Sequence, residues 1–192
     1  MTRLAVLLLG ILAASPAFAH TGGHLAGGFA GGFSHPFFGL DHIAAMVAVG
    51  LWGAFLGMPA MLVLPIVFPL VMAAGGVLGI LGVPLPSVEI GIAVSALVLG
   101  LMVALAAKPN LWVAAIIVGF FAVFHGHAHG AELPDGADAV AYSIGFVIAT
   151  GLLHLAGIGF GLLAQYPAGR VAVRAMGSAI AIAGLVFLGR LI

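Results

Sequence analysis

The chain reads as an all-α integral membrane protein, a six-transmembrane-helix bundle behind a cleaved N-terminal signal peptide. Composition is the first observation behind that class: 64% of the 192 residues are hydrophobic and 5% are charged, with a mean hydropathy of +1.36. Too few polar side chains remain to coat a soluble domain. The second is spacing, because the apolar residues gather into six runs separated by short Gly-, Pro- or Asp-containing breaks. The third is the layout of the first residues, which is that of a secretory signal.

In order along the chain, Arg3 supplies a positive start, Leu4 to Ala14 form an apolar run too short for a span, and Ala17-Phe18-Ala19 offers an A-x-A cleavage site. Residues 1–19 are therefore expected to be removed. Residues 20–36 form a Gly- and His-rich leader, and residues 37–192 the transmembrane domain. Its apolar runs are 37–56, 60–82, 88–107, 111–130, 139–163 and 171–191, each near the ~20 residues that cross a ~30 Å hydrocarbon core. The second run carries Pro65 and Pro69, which predict a kink, followed by Gly75, Gly79 and Gly82 at near-helical spacing. In the third, Glu89, Ala93, Ala96 and Gly100 fall on one face. Small side chains in such registers let helices approach closely.

A leader outside and an even number of crossings place both mature termini outside, in the periplasm or its equivalent. Lys108, Arg170 and Arg174 then fall in cytoplasmic loops and only Arg190 outside, as the positive-inside rule asks. On the same topology Asp41, Glu89, Glu132, Asp135 and Asp138 collect at the outer face with seven of the eight histidines. An acidic, imidazole-rich mouth concentrates cations.

Two stretches carry the chemistry. HPFFGLDH, residues 35–42, opens the first run; Pro36 suits the first turn of a helix, which predicts a span starting near His35 with Asp41 and His42 one to two turns inside. Ionisable groups at that depth face the bundle interior and have partners. On a continuous helix His35 and His42 share a face ~10 Å apart, so they serve one ion only if the His35 end unwinds. The second stretch is FHGHAHGAE, residues 124–132. The apolar run before it is too short to span, so the helix is expected to continue through the histidines, placing His125 and His129 (i, i+4) on one face and His127 elsewhere. With no cysteine in the chain, any bound metal takes nitrogen and oxygen ligands. Deeper in, Ser143, Thr150 and His154 share a face and mark a candidate pathway for an ion or proton, with Glu89 a second pathway candidate. His20 and His24 sit in the glycine-rich leader, and the scattered methionines read as packing.

HPFFGLDH matches the HPxxGxDH pattern of the HupE/UreJ family of bacterial nickel and cobalt permeases, and FHGHAHGAE resembles that family's second signature. The resemblance spans essentially the whole chain. It implies uptake of Ni²⁺, and of Co²⁺, across the inner membrane, with a functional link to hydrogenase or urease maturation. It also implies His35, Asp41, His42, His125, His127, His129 and Glu132 as the metal residues. The residues themselves do not single out nickel, since such ligands also bind Cu²⁺ and Zn²⁺.

The function expected is thus a secondary permease and not an enzyme, with no prosthetic group, the divalent ion as cargo, the bilayer as surroundings and no nucleic-acid partner. No GxxxxGK[ST] phosphate loop occurs, so ATP hydrolysis is not expected of this chain. Two other classes compete: a non-transporting metal-binding accessory protein, and an intramembrane metallohydrolase. The second lacks both H-E-x-x-H and G-x-S-x-G.

Overall fold

Apolar helices satisfy every backbone hydrogen bond within themselves, which is what a hydrocarbon environment demands, and helix is what the chain forms. The computed structural model describes residues 28–134 and 136–192. Its elements are α1 (Phe29–Ser34), a 3₁₀ turn (His35–Phe37), α2 (Leu40–Leu56), α3 (Ala60–Ile80), α4 (Val88–Ala104), α5 (Leu111–Ala131), α6 (Ala139–Gly161), a second 3₁₀ turn (Leu162–Gln165) and α7 (Pro167–Gly189). No strand occurs among the described residues. The expected signal segment, His20, His24 and Asp135 lie outside them.

Four helices are long and apolar enough to cross a membrane: α3, α5, α6 with its 3₁₀ extension, and α7. A fifth crossing is reached if α1 with its turn and α2, bent by 83° to one another, count as one. The remaining apolar helix, α4, has 17 residues. It ends before the expected run does, because Ala106 takes a left-handed φ of 54° and Pro109 follows.

Small residues set the packing. α2 lies at the centre, against α3, α4, α6 and α7, and buries Met46, Leu51 and Trp52 completely. The Trp52 indole N–H donates to the Ala107 carbonyl at 3.0 Å, tying α2 to the end of α4. Three seams bring backbones together: α3 with α5, where a Cβ on Gly126 or Gly130 would collide with the Met72 or Gly76 carbonyl; α4 with α7, through Gly100, Gly177 and Gly184; and α2 with α6, through Gly50 and Gly157. Large apolar side chains such as Leu70, Trp112, Ile116, Val140 and Leu155 are left on the outside, the pattern of a lipid-facing surface.

Several expectations need correction. The first run is not one helix from His35: Gly39 adopts an extended backbone (φ −97°, ψ 109°) and α2 starts afresh at Leu40, so Asp41 and His42 occupy its first turn and Pro36 the 3₁₀ turn before it. Gly82 is not a packing residue; it takes φ 66° beyond the end of α3, with open space around it. Arg170 and Arg174 belong to the first turns of α7, which begins at Pro167, and not to a loop. Glu89 and Ser143 are exposed, apart from the buried Ala93, Ala96 and Gly100 on one helix and Thr150 and His154 on the other. The extension of α5 through all three histidines is as expected.

Proline and histidine meet at mid-bundle. Pro65 and Pro69 lie inside α3, and each lacks the N–H that would bond the carbonyl four residues back. The Pro65 carbonyl, released in this way by Pro69, is faced by the imidazole of His154 on α6, at a geometry looser than a formed hydrogen bond.

Candidate metal centre

The break at Gly39 brings the two sequence stretches together. Asp41, in the first turn of α2, is placed where a helix favours negative charge. Its Oδ1 accepts the His42 backbone N–H at 2.9 Å and lies 2.9 Å from His42 Nδ1. A carboxylate holding Nδ1–H fixes the imidazole so that Nε2 carries the lone pair, and His42 Nε2 is buried without a hydrogen-bond partner. The glycine has a local purpose: a Cβ on Gly39 would stand 2.7 Å from His42 Nδ1 and 3.0 Å from Asp41 Oδ1. Only glycine leaves room for this Asp–His pair.

From α5, His125 and His129 present the same face, 0% and 6% exposed. The His42 ring centroid lies 4.9 Å from that of His125 and 4.5 Å from that of His129, and His35 stands 4.8 Å from His129. His35 Nε2 is 3.7 Å from Glu132 Oε2, and one ligand atom each from His35, His129 and Glu132 lie within 4.8 Å of one another. Four imidazoles therefore form a short column from a rim (His35, Glu132) to a buried floor (His42, His125), with His129 between. Phe146, 4.1 Å from His129, and Phe68, 5.5 Å from His125, wall it.

Ser95, on α4, fixes the floor. Its hydroxyl has one proton, donated to the Ile92 carbonyl at 2.6 Å, and the same oxygen lies 2.9 Å from His125 Nε2. The oxygen must then accept from Nε2–H, which leaves the lone pair on Nδ1. His125 Nδ1 and both nitrogens of His129 are buried and unpartnered. Buried polar atoms are rarely left so, and here several belong to one column. The donor set, imidazole nitrogen with carboxylate oxygen, suits borderline divalent metals.

The other candidates sit apart. His127 turns away and bonds the Val83 carbonyl through Nε2 at 2.7 Å. Asp138 caps α6, accepting the Val140 and Ala141 N–H groups. His154 is deeper, its ring 5.4 Å from Phe68, which also touches His125. Sequence reasoning passed over Ser95 and Gly39. The available signals were a lone hydroxyl midway along an otherwise apolar stretch of α4, about two turns past Glu89, and a glycine inside the DH motif.

Helical architecture, apolar helices of membrane-crossing length and a buried imidazole column at one end define the class, a multi-pass membrane protein with a candidate cation site. The particular family follows from comparison: residues 6–187 match the model of the HupE / UreJ protein family, and the chain belongs to that family, which is related to nickel and cobalt transport. It is 48% identical over 187 residues to Protein HupE of Rhizobium leguminosarum bv. viciae, covering 97% of each chain. The family is linked to the nickel metabolism of hydrogenase and urease. No solved structure matches the chain.

Proposed function

We propose that this protein is a secondary permease that takes up Ni²⁺, and Co²⁺ as a second substrate, across the bacterial inner membrane, feeding maturation of a hydrogenase or urease. The observation that carries the reading is the set of buried, unpartnered nitrogens in the column, His42 Nε2, His125 Nδ1 and those of His129. They are costly to bury empty and suited to replacing water around a divalent ion. Capture begins at the half-exposed rim, where His35 and Glu132 meet a hydrated cation. His129 passes it to the floor formed by His42 and His125, whose proton positions Asp41 and Ser95 set. The ion moves on along the α3–α6 interface near His154. The metal is cargo, and no residue has a catalytic role.

In this reading the chain crosses six times after cleavage following Ala19, with both mature ends in the periplasm. The 17-residue α4 is ~26 Å long, a mismatch that a bilayer accommodates at modest cost by local thinning. Family membership and the donor chemistry support nickel and cobalt.

The test is the metal content of cells, by mass spectrometry, expressing wild type or Asp41→Ala/His42→Ala at equal membrane level, exposed separately to low Ni²⁺, Co²⁺, Zn²⁺ and Cu²⁺. Selective accumulation of nickel or cobalt, lost in the double variant, is expected. No accumulation by wild type above vector overturns the permease reading, and equal accumulation by variant and wild type removes Asp41 and His42 from the capture site. Stoichiometric binding by purified protein without flux into proteoliposomes would instead make it an accessory metal-binding protein.

A further inference from the structure

At the end of the bundle opposite the histidines lies a second, unlike site. A cavity of about 790 Å³ opens between the C-terminal ends of α2, α4 and α6 and the first turns of α7. That volume falls within the ~300–1,000 Å³ of small-molecule sites. Lys108, Arg170 and Arg174 all line it, together with apolar wall residues including Phe55, Leu162 and Val171. Of the five Lys and Arg residues in the chain, three converge here. No carboxylate lines the cavity, and none of the three cations makes an ion pair among the described residues.

The cations are held in position. Arg170 Nε donates to the Ala164 carbonyl at 3.1 Å and Arg174 Nε to the Ala104 carbonyl at 2.8 Å. Each guanidinium has five N–H donors, so these bonds fix the head group while its terminal NH₂ groups stay available. The Lys108 ammonium sits 5.4 Å from the centroid of the Phe55 ring, within cation–π range. Three like charges fixed around one cavity repel one another, and a bound anion relieves that repulsion. Arginine pairs fit the oxygens of a phosphate particularly well.

We propose that this cavity binds a phosphate-bearing anion, the headgroup of an anionic phospholipid, with the phosphate among Lys108, Arg170 and Arg174 and the glycerol side against Phe55, Leu162 and Val171. Basic pockets between the ends of membrane helices take such headgroups, and walls half cationic and half apolar match a molecule with both characters. A free phosphate ester shares the chemistry of the charged half alone. The site is independent of the transport reading.

The experiment titrates the purified full chain, in a non-ionic detergent, with dioctanoyl phosphatidylglycerol, dioctanoyl phosphatidylcholine and inorganic phosphate, by isothermal titration calorimetry. Saturable binding of phosphatidylglycerol, weakened roughly tenfold or more in Arg170→Gln/Arg174→Gln and unchanged in Arg190→Gln, is expected. Lys108→Gln, which breaks no backbone hydrogen bond, should weaken it as well, and Arg170→Lys/Arg174→Lys, which keeps the charge but loses the fork, should bind between the wild type and the Gln double variant, which separates lost charge from lost folding. Inorganic phosphate binding as tightly, with the same sensitivity to the variants, assigns the site to a soluble phosphate. Equal binding of phosphatidylcholine and phosphatidylglycerol, or indifference to both the double variant and Lys108→Gln, overturns the proposal.

Discussion

Ser95→Ala isolates the contribution of one hydroxyl to the candidate metal centre. In the native arrangement the Ser95 oxygen accepts from His125 Nε2–H at 2.9 Å inside a fully buried pocket. Alanine removes that acceptor and adds nothing. Either His125 keeps its proton on Nε2, now buried without a partner, or the proton moves to Nδ1, the atom that would meet the ion. Leaving a buried donor unsatisfied costs ~1–3 kcal/mol. If that cost falls on the metal-bound state, at ~1.4 kcal/mol per tenfold it is a weakening of roughly 5- to 150-fold, overlapping the ~10- to 100-fold typical of removing a partner behind a ligand. The assay is Ni²⁺ titration of detergent-purified protein by calorimetry, with the melting temperature of each variant measured alongside. ¹⁵N spectra of histidine-labelled protein would report the proton on Nε2 of His125 in the wild type. His127→Ala serves as the matched control, because His127 bonds the Val83 carbonyl outside the column and should leave affinity nearly unchanged. An unaltered Ni²⁺ affinity in Ser95→Ala, with the fold intact, would refute the assignment of His125 Nδ1 as a ligand atom.

Two further outcomes follow from the packing and the donor chemistry. Gly126→Ala puts a Cβ into the Met72 carbonyl, backbone that cannot step aside, so thermal unfolding in detergent should show destabilisation of ~1–3 kcal/mol; Gly159→Ala, facing open space, should show almost none, and equal melting of the two would contradict the α3–α5 seam. Imidazole must be neutral to bind metal, so protons compete with the ion; burial holds the rim imidazole of His35 below its ordinary value, so nickel flux into proteoliposomes should fall several-fold as the outer pH drops from ~6.5 to ~4.5, through and below the ordinary imidazole range. A flat profile would remove the half-exposed His35 from the capture step.

The helical class and the number and rough extent of the apolar runs could be read from hydropathy, because a lipid-facing helix writes its length into the sequence as an uninterrupted apolar stretch; the ends, such as α7 starting at Pro167, could not. The His125–His129 face was readable for a related reason: i and i+4 residues coincide wherever the helix is regular. What could not be read was the break at Gly39. Periodicity assumes one axis through His35 and His42, whereas the chain turns through 83° between them and brings His35 beside His129 instead. Ser95 was hidden for another cause. Its partner is thirty residues away on a different helix, a relation with no local signature. Glu89 shows the converse error: its register was right and the inward face below it is buried, yet the carboxylate itself sits on the exposed first turn of α4.

The last turns of α5 perform two duties at a fixed angular offset. His125 and His129 look toward the column, while Gly126 and Gly130, each one residue later, let the backbone of α3 come to rest against α5. A helix advances about 100° per residue, so liganding face and bare face behave like the lobes of a cam cut from one shaft. Neither can be retimed alone. Inserting a single residue upstream of Phe124 would swing the imidazoles out of phase and drive a side chain into the seam in the same motion, so a change of length should disable both duties at once, whereas a substitution such as Gly126→Ala strikes only one.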